Sequence, residues 1–380
     1  MKVPAERALP DPPAPSSSPR WIEAPRMAPS PRGAKVPRAA GLGAAFVILL
    51  GIYVGSRGLR DFDTALVSYA AATVFAAFGV GYRYAIWLAR PPTRLYFRRG
   101  IALLLEPRRL PGSLARLTRT AVDNLLLQRF IRRRSKLRWL SHACLSWGCM
   151  LAAAVTFPLS FGWVRFESTR SAQEIYEAYV FGVRVARFPA YSILGELVFN
   201  VLVIAAALVI TGVMLALIRR ARDRGELAIQ DGEDDLLPLL LLFAISSTGV
   251  LLTISSRFLH GFHYAFLSQL HAVTVIFTLL YLPFGKFFHI FQRPTQITID
   301  LYRREAAAGE QARCGRCGEP FASKLQIEDL KSVESSLGVR YGSADGTHYQ
   351  DICPPCRRKN LALIQDGLTR AARRGDGGYA

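Results

Sequence analysis

Residues 265–294 (AFLSQLHAVTVIFTLLYLPFGKFFHIFQRP) form an apolar run long enough to cross a bilayer. Runs of the same kind stand at 41–57, 64–89, 139–164, 190–218 and 236–256. In hydrocarbon the backbone must satisfy its own hydrogen bonds, which restricts such a chain to helices or a closed barrel; continuous apolar runs of this length select helices. With 51% hydrophobic residues among 380 and a mean hydropathy of +0.20, an ordinary soluble domain is excluded. The expected fold is an all-α membrane protein, a bundle of about six transmembrane helices over 39–294 with a small polar tail at 295–380.

The net charge of +20 lies outside the apolar runs. In a membrane protein such charge reports orientation and contact with anionic lipid of the bilayer, so a nucleic-acid partner is not expected. Residues 1–38, rich in Pro, Ser, Ala and Arg without apolar periodicity, read as a disordered arm. Because the first apolar run begins only near Gly41, the arm is not a signal peptide, and its basic residues place it in the cytoplasm. The basic connection 90–138 is expected on the same side, with 113–135 forming one amphipathic helix on the membrane surface or against a partner. Residues 165–189 read as an external loop and GELAIQDGEDD as a cytoplasmic one. Six spans then put both termini in the cytoplasm, in a multi-pass protein of the cytoplasmic (inner) membrane. No internal repeat is visible, unlike most secondary transporters.

The sixth run carries His271 near its start and His289 near its end, 18 residues apart. In one continuous helix that is five turns, so both imidazoles share a face, roughly 27 Å apart along the axis. Ionisable groups at membrane depth are costly and point to function. His142 enters the membrane from the cytoplasmic end of the third run, at the depth at which His289 leaves it. A haem b iron takes an axial ligand from each of two facing helices, so His142 and His289 are read as one bis-histidine pair. His271 is the candidate outer haem ligand, and it has no evident mate. His260 and His263 either reach toward an outer haem or are solvated loop residues, and Met150 is either a weak axial ligand or core.

The tail contains CGRCGEP and ICPPCRR, two CxxC knuckles whose ligands are Cys314, Cys317, Cys353 and Cys356. Tight turns at such knuckles aim paired thiolates at one tetrahedral ion, here Zn²⁺ or, alternatively, a rubredoxin-type iron in a zinc-ribbon-like tail. SKLQIEDLKSVESSLGVRY reads as a helix between them, His348 is not needed as a ligand, and Cys144 and Cys149 read as packing residues.

The stretch LHAVTVIFTLLYLPFGKFFHIFQRP resembles the last helix of the gamma (cytochrome b) subunit of respiratory nitrate reductase, and RRRSKLRWLSHACLSWG resembles that family's other ligand helix. The resemblance covers about 64–300 and implies a five-helix cytochrome b core preceded by one extra N-terminal span. It implies a membrane electron-transfer subunit exchanging electrons between quinone or quinol and a cytoplasmic iron–sulfur and molybdoenzyme-type partner. In the family the earlier helix carries a second histidine; the corresponding place here is Ala152, which leaves open whether one or two haems are held. The alternative is a transporter, or a haem-free membrane anchor with a structural zinc tail.

Overall fold

The computed structural model describes residues 35–105, 110–168, 175–222, 225, 231–339, 341, 342 and 346–373. Most of the expected disordered arm lies outside these residues. From Lys35 the chain is already helical, so the last part of that arm is the first turn of a span.

The helices are α1 (Lys35–Gly55), α2 (Val67–Ala89), α3 (Pro91–Leu104), α4 (Leu110–Ala121), α5 (Arg129–Arg132), α6 (Lys136–Ser160), α7 (Ile193–Arg222), α8 (Leu237–Phe258), α9 (Tyr264–Tyr281), α10 (His289–Ala308), α11 (Lys324–Ser336) and α12 (Pro354–Arg373). Among the described residues six helices are long and apolar enough to cross a membrane: α1, α2 and α6–α9, with α2 and α8 each preceded by a short helical turn. The chain is thus a multi-pass membrane protein. The spans pack in the order α6, α7, α8, α9, α2, α1, so the first span leans on α2. Val209 and Val213 of α7 are almost fully covered and meet Leu239 of α8 and Leu145 and Cys149 of α6. This cluster ties three spans together, and Cys149 belongs to it, as its reading as a packing residue requires.

The expected all-α architecture is corrected between α6 and α7. The stretch read as an external loop is an antiparallel sheet of β1 (Val164–Ser168), β2 (Ile175–Val180) and β3 (Val183–Pro189), with Val164 opposite Val180 and Ile175 opposite Pro189. Its signal is the alternation of apolar and charged residues in VRFES and VRVARFP, with the two-residue turn Phe181–Gly182 joining β2 to β3 at φ angles of +48° and +82°. Asp61, in the turn between α1 and α2, accepts from Arg57 at 2.6 and 2.7 Å and from Arg165 of β1 at 2.6 Å. Its carboxyl is held below the usual range chiefly by the Arg57 hydrogen bond. These bonds fasten the sheet to that end of the bundle, called here the sheet side; the opposite end carries the tail.

On the tail side the amphipathic stretch 113–135 is not one helix. After α4 comes a wide turn at Val122–Leu126, and Gln128 then adopts φ +50°, a left-handed conformation that ends any helix. The Trp139 and Trp147 indoles donate to the carbonyls of Leu127 and Leu126 at 2.8 and 3.3 Å, folding the turn back onto α6.

The sixth run is broken as well. α9 stops at Tyr281, a short 3-10 turn covers Lys286–Phe288, and α10 begins at His289. Pro283 has no N–H to give and its ring excludes the preceding helical carbonyl. Arg83 of α2 supplies donors to carbonyls at the break, its Nη1 donating to Pro283 O and Phe284 O at 2.6 Å each. A Cβ on Gly79 would lie 2.7 Å from the Pro283 ring, so α2 approaches the break this closely only with glycine there. His271 and His289 therefore do not share one helical face.

The tail is a hairpin of β4 (Gln311–Arg313) and β5 (Pro320–Ser323), then α11, as expected between the knuckles, and α12. It is docked on α3 and α10 through Asp329 of α11, 3% exposed, which accepts from Tyr302 Oη at 2.7 Å and Arg99 Nη2 at 3.0 Å. Burial, and then this hydrogen bond, raise the Tyr302 phenol above its ordinary pKa. Asp329→Ala is expected to strand the buried Tyr302 hydroxyl, while half-exposed Arg99 returns to water, at about 1–3 kcal/mol. Hydrogen exchange should then show faster exchange in α11 and β5 with α6–α9 unchanged.

Candidate functional site

Two groups of side chains emerge, one at the tail-side ends of the spans and one in the tail. In the first, His142 stands in the second turn of α6 and His289 opens α10. Their ring centroids are 6.4 Å apart with the planes at 62°.

The hydrogen bonds fix the tautomers. His289 Nδ1 lies 2.5 Å from Lys286 O, and a carbonyl only accepts, so Nδ1 carries the proton. His142 Nδ1 lies 2.8 Å from Gln128 Oε1, while the Gln128 amide nitrogen donates to Leu125 O at 3.4 Å, which orients the amide with its oxygen toward the ring. Both imidazoles therefore present the lone pair at Nε2, and neither Nε2 has a protein partner among the described residues. A ligating histidine commonly donates its other N–H to an oxygen in this manner, which fixes ring orientation and raises basicity. Two imidazoles bound to one ion through Nε2 at about 2 Å each put their centroids a little over ~6 Å apart. The observed spacing meets that requirement.

Each holder is anchored. The Lys286 turn is fixed by an ion pair of Lys286 with Asp235 and by Tyr281 Oη donating to Glu233 O at 2.9 Å. Gln128, 3% exposed, sits in the turn that the two tryptophans fold onto α6. The sequence reading missed Gln128, because one glutamine in an amphipathic stretch carries no signal of its own. It also passed over Arg83, which did have one: an arginine inside an apolar span.

His271 lies apart from this pair, in the second turn of α9 toward the sheet side. Its Nδ1 is 2.9 Å from Thr248 Oγ1, whose own proton goes to Ala244 O at 2.7 Å, so the ring is again the donor. Among the described residues no second histidine ring meets it. His260 and His263 are exposed in the turn between α8 and α9, both in the left-handed region, with His263 against Phe262. Met150 is 40% exposed on α6, not core.

The spans that bear histidines are the least covered of the six. Of the apolar window of α6 6% is buried, and of α9 none, against 28% in both α7 and α8.

No known protein family, curated protein or solved structure matches the chain.

In the tail, the sulfurs of Cys314, Cys317, Cys353 and Cys356 all lie within 4.8 Å of one another, and Cys317 and Cys353 are 3.7 Å apart. A tetrahedral ion with bonds near 2.3 Å needs sulfur–sulfur edges of about 3.8 Å. These four residues could hold a metal ion such as zinc. Gly318, at φ +73°, closes the first knuckle by donating to Cys314 O at 2.9 Å, and Gly315 N donates to Asp351 O at 2.9 Å to join the knuckles. Burial opposes a charged Cys314 thiol, but the N–H groups of Cys353, Cys317 and Arg316 outweigh it and bring the thiol down to about 6. The second knuckle opens α12, and there the neighbouring Cys353 sulfur and then burial push the Cys356 thiol up to about 12. His348 pairs with Glu334, at 3.6 Å, outside the sulfur cluster.

Proposed function

We propose that the chain is a haem b membrane subunit, similar in kind to the gamma subunit of respiratory nitrate reductase, that serves electron exchange between the quinone pool and a cytoplasmic iron–sulfur and molybdoenzyme-type partner. The observation that carries this reading is the pair of Nε2-presenting imidazoles of His142 and His289 at 6.4 Å. Haem held there supplies a one-electron centre. The chain's own part is to fix both rings through Gln128 and the Lys286 carbonyl. The five-helix core is α2 and α6–α9, with α1 added on the outer side of α2, which fits its place at the end of the packing order.

One haem per chain is the reading, because His271 meets no second histidine. The arginine-rich connections favour a cytoplasmic tail side. The tail would hold Zn²⁺, with its basic surroundings and docked α11 forming the face offered to the soluble partner. The test is the colour of the intact chain purified in mild detergent. Dithionite-reduced minus oxidised spectra should show b-type bands, and haem quantification should give one haem per polypeptide beside one zinc. A colourless protein with full zinc occupancy would overturn the haem assignment in favour of a haem-free anchor.

A further inference from the structure

A cavity of about 430 Å³ opens beside His289, on the face of the helix break turned toward α2. Its walls include Arg83, Trp87 and Arg90 of α2 and its cap, Asp234 just ahead of α8, and Lys286. Each of these stands within about two turns of the tail-side end of a span, so the cavity lies at the boundary of the apolar layer, where Trp is favoured.

The charges in it are arranged unequally. Lys286 is already paired with Asp235. Arg83 is immobilised: Nη1 holds the carbonyls of Pro283 and Phe284, and the guanidinium lies 4.5 Å over the Phe288 ring. Carbonyl partners leave its full positive charge in place. The Arg90 guanidinium and the Asp234 carboxylate have no partner among the described residues. The cavity therefore offers two cationic forks from α2 and its cap, and one carboxylate from the turn ahead of α8. A guanidinium pair suits a phosphate diester, and the carboxylate rejects an acidic head group while accepting a primary ammonium.

We propose that this cavity binds the phosphoethanolamine head group of a membrane phospholipid, with the phosphate on Arg83 and Arg90 and the ammonium on Asp234. The site does not depend on the haem reading. It gives the helix break, and with it the Lys286 turn that orients His289, a fixed lipid neighbour.

The test is native mass spectrometry of the delipidated full-length chain, titrated with phosphatidylethanolamine, phosphatidylglycerol and phosphatidylcholine of matched acyl chains. The wild type should retain one phosphatidylethanolamine per chain, roughly tenfold more tightly than either other lipid. Arg90→Gln should weaken that binding by roughly tenfold, and Asp234→Asn should erase the preference over phosphatidylglycerol. Both side chains are exposed, so helical circular dichroism should be unchanged in the variants. Equal retention of the three lipids by the wild type overturns the proposal even without the variants. So does displacement of the lipid by millimolar inorganic phosphate, which would assign the arginines to free phosphate. Retention of phosphatidylethanolamine that neither substitution alters also overturns it.

Discussion

His289→Ala is expected to abolish the reduced b-type absorption of the chain, and His142→Ala to do the same. Each substitution removes one of the two proposed ligands, and the remaining ring, whose partner stood 6.4 Å away, would not hold a haem alone. A graded variant separates ligation from folding. Gln128→Leu keeps both rings but removes the oxygen that receives the His142 Nδ1 proton. Loss of such a supporting hydrogen bond typically costs about 10–100-fold in affinity. The expected outcome is haem that is present as purified but stripped by apomyoglobin far faster than from the wild type. His271→Ala should leave the tail-side signal in place, and His348→Ala should not touch it. If His142→Ala and His289→Ala keep full b-type spectra, the pair is not the ligand set and the electron-transfer reading falls with it.

Much of this was legible because the physics behind it is one-dimensional. Apolar length alone identifies the spans, and parity of crossings then puts His142 and His289 at the same end of the bundle, whether or not the last run is one helix. That is why their proximity was foreseeable although the helix between His271 and His289 is broken. The break itself was written in LPFGK, since Pro283 cannot continue a helix; the apolar run on both sides hid it. What makes the break affordable in a membrane is Arg83, 200 residues earlier than the Pro283 carbonyl it serves, and no local pattern reports a contact of that range. The sheet between α6 and α7 was missed for a different reason. Its strands are short and follow a run of period 3.6, so the change to period 2 in VRFES and VRVARFP is easily read as loop.

The cysteine cluster was the most legible site, because two CxxC knuckles specify nearly all of its geometry locally; the docking of the tail on α3 and α10 was not. Asp329 is one acid among several in α11, and only the fold shows that it is the buried acceptor for Tyr302 and Arg99. Function in such a chain is therefore read from local motifs, and the coupling between motifs from long-range polar contacts.

If the four cysteines hold zinc, as proposed, removing it is expected to unfold the tail while leaving the membrane bundle folded. The β4–β5 hairpin has only seven strand residues and a small apolar interior, so the four thiolates must supply most of its folding energy. Apparent binding energies of structural zinc are on the order of 10–16 kcal/mol near neutral pH, more than a segment of this size retains without it. Treatment with a strong chelator, or Cys353→Ser, should open 309–373 to limited proteolysis and release α11 from Arg99 and Tyr302. α6–α9 keep their own packing around Val209 and Val213, so their helical signal should persist, and the haem spectrum should shift little because His142 and His289 are held by Gln128 and Lys286. An intact tail after complete zinc removal would show that the Asp329 contacts suffice to fold it. Concerted loss of haem and zinc would show instead that α10 transmits the state of the cysteine site to His289 along its length.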